Sequence, residues 1–300
     1  MDSKKLTIKR IVIFYLLAFL PLAIVTPVLC LYYDEMVYVS KKENVAAVVY
    51  ALGAFGMFAP TIANLLTRWI TKEGMENLYL ALNLRGNGKY YLASVGVKLL
   101  EAVFGMFLVW KVFFGNIALV EMFPGEDMST KLAGFVMQLA FSIIVFFPAF
   151  GEEWGWRGYL GPKLEMVMSK PMAILVGGIL WGLWHAPLTI AGHNFGVDYP
   201  LYPWLGIGAM CLMCVCMNAF LTLLTERTKS IYPASFAHMV NNNCSVMVLM
   251  TLFSTEEIFN KMQKLQSIKV FAVFMPVYLL VGIVSFVIYM KKENNTRRAL

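Results

Sequence analysis

Three short groups of polar residues stand inside otherwise apolar stretches of this 300-residue chain. The first is Gly151-Glu152-Glu153-Trp154-Gly155-Trp156-Arg157-Gly158. Neighbouring side chains on a helix diverge by about 100°, so Glu152 and Glu153 face different ways and suit different roles. Glu153 and Arg157 are four apart, share a face and are placed to form an ion pair. Glu152 is then directed toward whatever cavity the helices enclose, and a carboxylate in such an apolar setting suits a general base. The blander alternative is that both glutamates cap the interfacial end of a helix beside Arg157.

The second group is Trp181-Gly-Leu-Trp-His185, and the third is His238-Met-Val-Asn-Asn242, followed by Asn243. His238 and Asn242 lie one helical turn apart on the same face. Such a pair can grip a substrate carbonyl, a water or a metal. It can also form an interhelical hydrogen bond worth about 1 kcal/mol or less in a membrane. The chain has three histidines, and two of them sit in separate apolar stretches with these polar partners. The third, His193, follows Gly192 at the end of its stretch and reads as a surface residue.

The elements that must position these groups are membrane-spanning helices. Hydrophobic residues make up 59% of the chain and charged residues 14%, far below the charged fraction of a soluble domain. A helix needs about 20 apolar residues to cross about 30 Å of hydrocarbon. Eight stretches meet this, near 11–32, 45–67, 90–114, 132–151, 171–192, 203–225, 230–252 and 269–290. The third is the least apolar, because Lys98, Glu101 and Lys111 fall inside it. The expected fold is therefore all-α: one polytopic bundle over 1–300, with the chemistry-bearing groups within 150–245. Gly177, Gly178 and Gly182 would let the fifth span approach a neighbour closely.

Lys and Arg concentrate in the N-terminal tail (Lys4, Lys5, Lys9, Arg10), in the second, fourth and sixth connections, and in the C-terminal tail. Under the positive-inside rule these segments and both termini are cytoplasmic. The first stretch is long and lacks a small-x-small cleavage site, so it reads as a retained helix. A net charge of +7 needs no nucleic acid, since basic residues facing an anionic leaflet account for it. Cys30, Cys211, Cys214, Cys216 and Cys244 all fall in expected spans and read as packing residues.

Glu152-Glu153-x-x-x-Arg157, Trp181-x-x-x-His185 and His238-x-x-x-Asn242, each on a separate span, resemble the CPBP family. These are the CAAX-processing and bacteriocin-processing intramembrane proteases, also called the Abi family. The resemblance covers roughly residues 130–250, and the eight-span layout extends it loosely to the whole chain. Trp181 departs from the pattern, where the family commonly has Phe, by a conservative aromatic exchange. The resemblance implies hydrolysis of peptide bonds in membrane-anchored substrates, including prenylated CAAX-type peptides, in a bacterial cytoplasmic membrane. It makes Glu152 the base that activates water, with Glu153 and Arg157 orienting it or holding the helix end. His185 would position the water, and His238 and Asn242 would stabilise the oxyanion. It leaves open a divalent metal such as zinc, held by His185, His238 and one glutamate. Zinc would want three protein ligands.

Two other classes compete. A non-catalytic immunity or scaffold protein would bind a peptide or partner in the same cavity, but would have no need of Glu152. A transporter usually shows paired broken helices in two halves. Here the polar groups gather in one half of the chain.

Overall fold

In the computed structural model the described residues are 3–31, 55–115, 128–244, 261 and 264–298. The described residues form ten α-helices and one π-helical turn, and no strand occurs among them. In order, these are α1 (Ser3–Leu31), α2 (Ala59–Ile70), α3 (Gly88–Phe114), α4 (Met128–Gly155), the π turn (Trp156–Leu160) and α5 (Gly161–Glu165). They are followed by α6 (Lys170–Trp184), α7 (Ala186–Ile190), α8 (Trp204–Thr228), α9 (Tyr232–Asn243) and α10 (Ser267–Arg298).

Each of the eight expected stretches holds helix. Among the described residues five helical segments are long and apolar enough to cross a membrane: Ser3–Thr26, Gly88–Phe114, Ser129–Glu165, Trp204–Thr228 and Ser267–Lys291. α6 is apolar but shorter. The parts of the second and seventh expected stretches at 45–54 and 245–252 lie outside the described residues, as does the side chain of Cys30. The remaining four cysteines are free thiols, three buried and Cys211 half-buried, in keeping with a packing role.

The helix pairings close a circuit: α1 on α2, α2 on α4, α4 on α9, α9 on α3, α3 on α10, α10 on α8, α8 on α6, and α6 with α7 back on α1. The tightest seam is α6 against α8. A Cβ on Gly178 would lie 2.5 Å from Val215 Cα, and one on Gly182 would lie 2.4 Å from Cys211 Cα. The small residues therefore set the crossing distance, as expected for membrane helices. Asn218 Nδ2 adds a hydrogen bond across this seam to the Ile174 carbonyl at 2.7 Å. On its other side α6 is held by α1, where Tyr15 Oη donates to the Leu180 carbonyl at 3.0 Å and Trp184 Nε1 to the Ala18 carbonyl at 2.8 Å.

The third stretch keeps its charges by pairing them. Lys98 and Glu101 are each 3% exposed and form an ion pair with each other on α3. Lys98 Nζ lies 4.5 Å from the ring centroid of Tyr278 on α10. Two buried charges left apart would oppose insertion, whereas the pair is tolerated.

Residues 71–87 run across one end of the circuit and tie it together. Glu73 pairs with Lys163 and Arg10 and accepts from Tyr159 Oη at 2.8 Å. Burial pushes the Glu73 carboxyl up, but hydrogen bonds from Lys163 and Tyr159 and the charges of Lys163 and Arg10 outweigh it and hold it below its ordinary value. Farther on, the Tyr79 carbonyl accepts from Ile231 N at 3.0 Å, and Asn83 Nδ2 donates to the Thr228 carbonyl at 3.0 Å. This is the end where the sequence concentrates positive charge.

Candidate active site

The two glutamates sit where α4 widens into the π turn. π turns inside α-helices recur at functional sites because they redirect side chains. Here the turn follows Glu153 by two residues and contains Arg157, and all five of its residues are buried. Tertiary packing by α2 fixes its start. A Cβ on Gly155 would lie 2.5 Å from the Pro60 carbonyl carbon, so only Gly permits this approach. Thr61 Oγ1 donates to the Gly151 carbonyl at 2.6 Å, and Asn64 Nδ2 to the Trp154 carbonyl at 3.3 Å. Side-chain donors from α2 thus serve backbone acceptors beside the irregular turn.

Glu153 is 0% exposed, and its Oε1 accepts from Arg157 Nη1 at 2.9 Å. The pairing expected from the i,i+4 spacing is present. The same oxygen meets His238 Nδ1 on α9 at 2.8 Å. A carboxylate oxygen only accepts, so Nδ1 carries the hydrogen and His238 is left with Nε2 for other partners. Glu152, 2% exposed, takes a different partner: its Oε2 accepts from Trp181 Nε1 on α6 at 2.9 Å. Among the described residues Glu152 makes no ion pair. The divergence expected of neighbouring helix positions is realised, and only one of the two carboxylates is charge-compensated.

Trp181 is the hub of the arrangement. Its ring lies 4.0 Å below the Arg157 guanidinium carbon, 5.4 Å from the His238 ring and 5.9 Å from the His185 ring, centroid to centroid. A Phe at this position would keep these ring contacts and lose the bond to Glu152. The exchange is therefore less conservative than its aromaticity implies. His185 caps the end of α6, half-buried, with its ring 4.7 Å from that of Trp184. Its Nδ1 donates to the Trp181 carbonyl at 2.9 Å, which again leaves Nε2 as the outward atom.

Asn242 is exposed, one turn from His238, and its Oδ1 accepts from Asn241 Nδ2 at 3.3 Å. It takes no part in the Glu153–His238–Arg157 network. Asn243 clamps the end of α9 to α4 instead: its Nδ2 donates to the Gln138 carbonyl at 2.9 Å, and Gln138 Nε2 donates to Asn243 Oδ1 at 3.0 Å. His193 is exposed, as expected. The hydrogen bond that Trp181 gives Glu152 is not visible in the motif, and the only sequence signal for Asn241 is its place beside Asn242.

The zinc set left open by the resemblance, His185, His238 and one glutamate, is not gathered into one cluster. Among the described residues no three or more His, Cys, Asp or Glu side chains stand together where they could hold one metal ion. Each imidazole commits Nδ1 to a protein acceptor and keeps Nε2.

Residues 132–244, which contain Glu152, Glu153, Arg157, Trp181, His185, His238 and Asn242, match the family model described as Type II CAAX prenyl endopeptidase Rce1-like. The chain is also 25% identical over 217 residues to CAAX prenyl protease 2 of Methanococcus maripaludis, covering 68% of this chain and 75% of the relative. Both matches are to CAAX prenyl proteases, so the chain is similar to that group across its motif-bearing part. The long apolar helices agree with an integral membrane protein.

Proposed function

We propose that the chain is an intramembrane endopeptidase in which Glu152 activates the attacking water. The observation that carries this reading is the asymmetry of the paired carboxylates. Glu153 is paired with Arg157 and occupied by His238, whereas Glu152 is buried and, among the described residues, forms no ion pair and accepts one neutral N–H. A carboxylate oriented but not neutralised is suited to take a proton.

In this reading Glu152 removes a proton from water as the water oxygen bonds to the scissile carbonyl carbon. His185, with the lone pair of Nε2 outward, accepts the water's other hydrogen and fixes its approach. The Asn242 amide donates to the oxyanion, a role in which neutral N–H groups are effective. His238 is oriented by its bond to Glu153 and meets the Trp181 ring edge-on. As the carbon–nitrogen bond breaks, Glu152 returns its proton to the departing amine nitrogen. Arg157 pairs with Glu153 and lies over Trp181, so it supports both carboxylates without touching substrate.

The substrate class follows from the setting and from the relative's name: membrane-anchored peptides, prenylated CAAX-type C-termini among them. The end gathering Arg10, Glu73, Lys163 and Glu226 then faces the cytoplasm, by the positive-inside rule.

The test is cleavage of a farnesylated CAAX-type peptide and of membrane-anchored peptides by purified protein in liposomes, with and without chelator. Glu152→Gln keeps shape and the acceptor for Trp181 but removes basicity. It is expected to reduce kcat by about 1,000-fold or more with unchanged thermal melting, a loss in the range of removed catalytic groups. An active Glu152→Gln protein would overturn the assignment of the base. Peptide binding without cleavage by the wild type would favour the non-catalytic binder, and loss of activity in chelator would require a metal.

A further inference from the structure

We infer that Tyr278 on α10, acting through Asn241, sets which end of the Asn242 amide faces the reacting carbonyl. The inference rests on the oxyanion role proposed for Asn242. An asparagine amide has two ends of nearly equal shape, of which only the nitrogen donates. Sterics alone therefore do not choose between them. Presented the wrong way round, Asn242 would aim a carbonyl oxygen at a developing negative charge and repel it.

The hydrogen bonds make the choice. Tyr278 is 6% exposed, and its hydroxyl donates to Asn241 Oδ1 at 2.7 Å. With its oxygen committed to Tyr278, Asn241 turns Nδ2 toward its neighbour, and Asn242 Oδ1 accepts from it at 3.3 Å. Once that oxygen is engaged, the end of Asn242 that remains is its donor. The chain of bonds thus converts one hydroxyl into a preference for N–H over C=O at the site.

The Tyr278 ring is anchored in turn. Lys98 Nζ lies 4.5 Å from its centroid, and Lys98 is paired with Glu101, both 3% exposed on α3. Ionisable residues inside a membrane bundle are costly and mark function by default. The reaction proposed above uses neither Lys98 nor Glu101, and holding the Tyr278 ring gives the pair a task. Both α3 and α10 lie outside the matched residues 132–244, so this positioning set comes from helices beyond the motif-bearing part of the chain.

The test uses the full chain in liposomes with the cleaved peptide, measuring kcat and KM for wild type, Tyr278→Phe, Asn242→Ala and the double variant. Phe keeps the ring beneath Lys98 and removes only the hydroxyl. Tyr278→Phe is expected to lower kcat about tenfold at unchanged KM, against about a hundredfold for Asn242→Ala, a typical loss for one oxyanion donor. In the double variant Tyr278→Phe adds nothing, because no amide is left to orient. Asn241→Leu cuts the same link from its other side and is expected to behave alike.

Wild-type kcat in both Tyr278→Phe and Asn241→Leu would overturn the inference. So would losses that multiply with that of Asn242→Ala, which would make Tyr278 a support of the fold. If Asn242→Ala itself leaves kcat intact, the oxyanion role falls and takes this inference with it. A costly Asn242→Ala beside silent Tyr278→Phe and Asn241→Leu removes this inference alone.

Discussion

Helix α6 takes part in two junctions built on opposite rules. Toward α8 it presents Gly178 and Gly182, and the two backbones meet with almost nothing between them. Toward α4 and α9 it presents Trp181, whose contacts are an indole hydrogen bond, a cation over its face and two imidazole edges. The seam is specified by volume and the junction by donors and acceptors. A change of shape should therefore unfold the first. A change of hydrogen bonding at constant shape should silence the second while leaving the fold intact.

The largest departure from this contrast is sought at the seam. Gly182→Leu places a side chain where Cys211 backbone already lies 2.4 Å from the first added carbon, and backbone cannot step aside. Overpacking of this kind is expected to cost about 3 kcal/mol or more, seen as a lower melting temperature in detergent and faster proteolysis. A Gly182→Leu protein that melts like the wild type would mean the helices separate freely, and the distinction between the junctions would collapse.

A smaller effect is expected at the polar junction. Trp181→Phe preserves the ring contacts and deletes one hydrogen bond to a carboxylate, a change worth about tenfold in kcat with melting unaltered. Equal losses of stability and activity would instead show that Trp181 serves the core. The smallest effect belongs to His193→Ala. His193 is exposed beyond α7, and the variant is expected to retain activity within about twofold. A large loss there would place the chemistry elsewhere.

The parts of this architecture written in local spacing were legible in the sequence. The i,i+4 relation of Glu153 and Arg157 predicted their ion pair, the glycines of α6 predicted a close approach, and hydropathy located the long helices. Lys98 and Glu101, three apart, weakened the third stretch on a hydropathy count, yet that same spacing lets them neutralise each other. What stayed hidden depends on partners far along the chain. His238 is 85 residues from Glu153, and nothing in either motif says that their side chains meet. The indole of Trp181 looked like one aromatic in place of another, because a pattern of residue classes carries no record of an N–H.

The π turn has a consequence for how this site tolerates change. Because the turn takes in one residue more than an α-helical turn, the direction in which Glu152 and Glu153 point, relative to everything after Leu160, depends on a count of residues as well as on their identities. Shortening the turn by one would swing one flank against the other by about 100°, carrying both carboxylates off their partners. The chemistry is thus encoded partly as chain length, which point substitutions leave untouched and single-residue deletions do not.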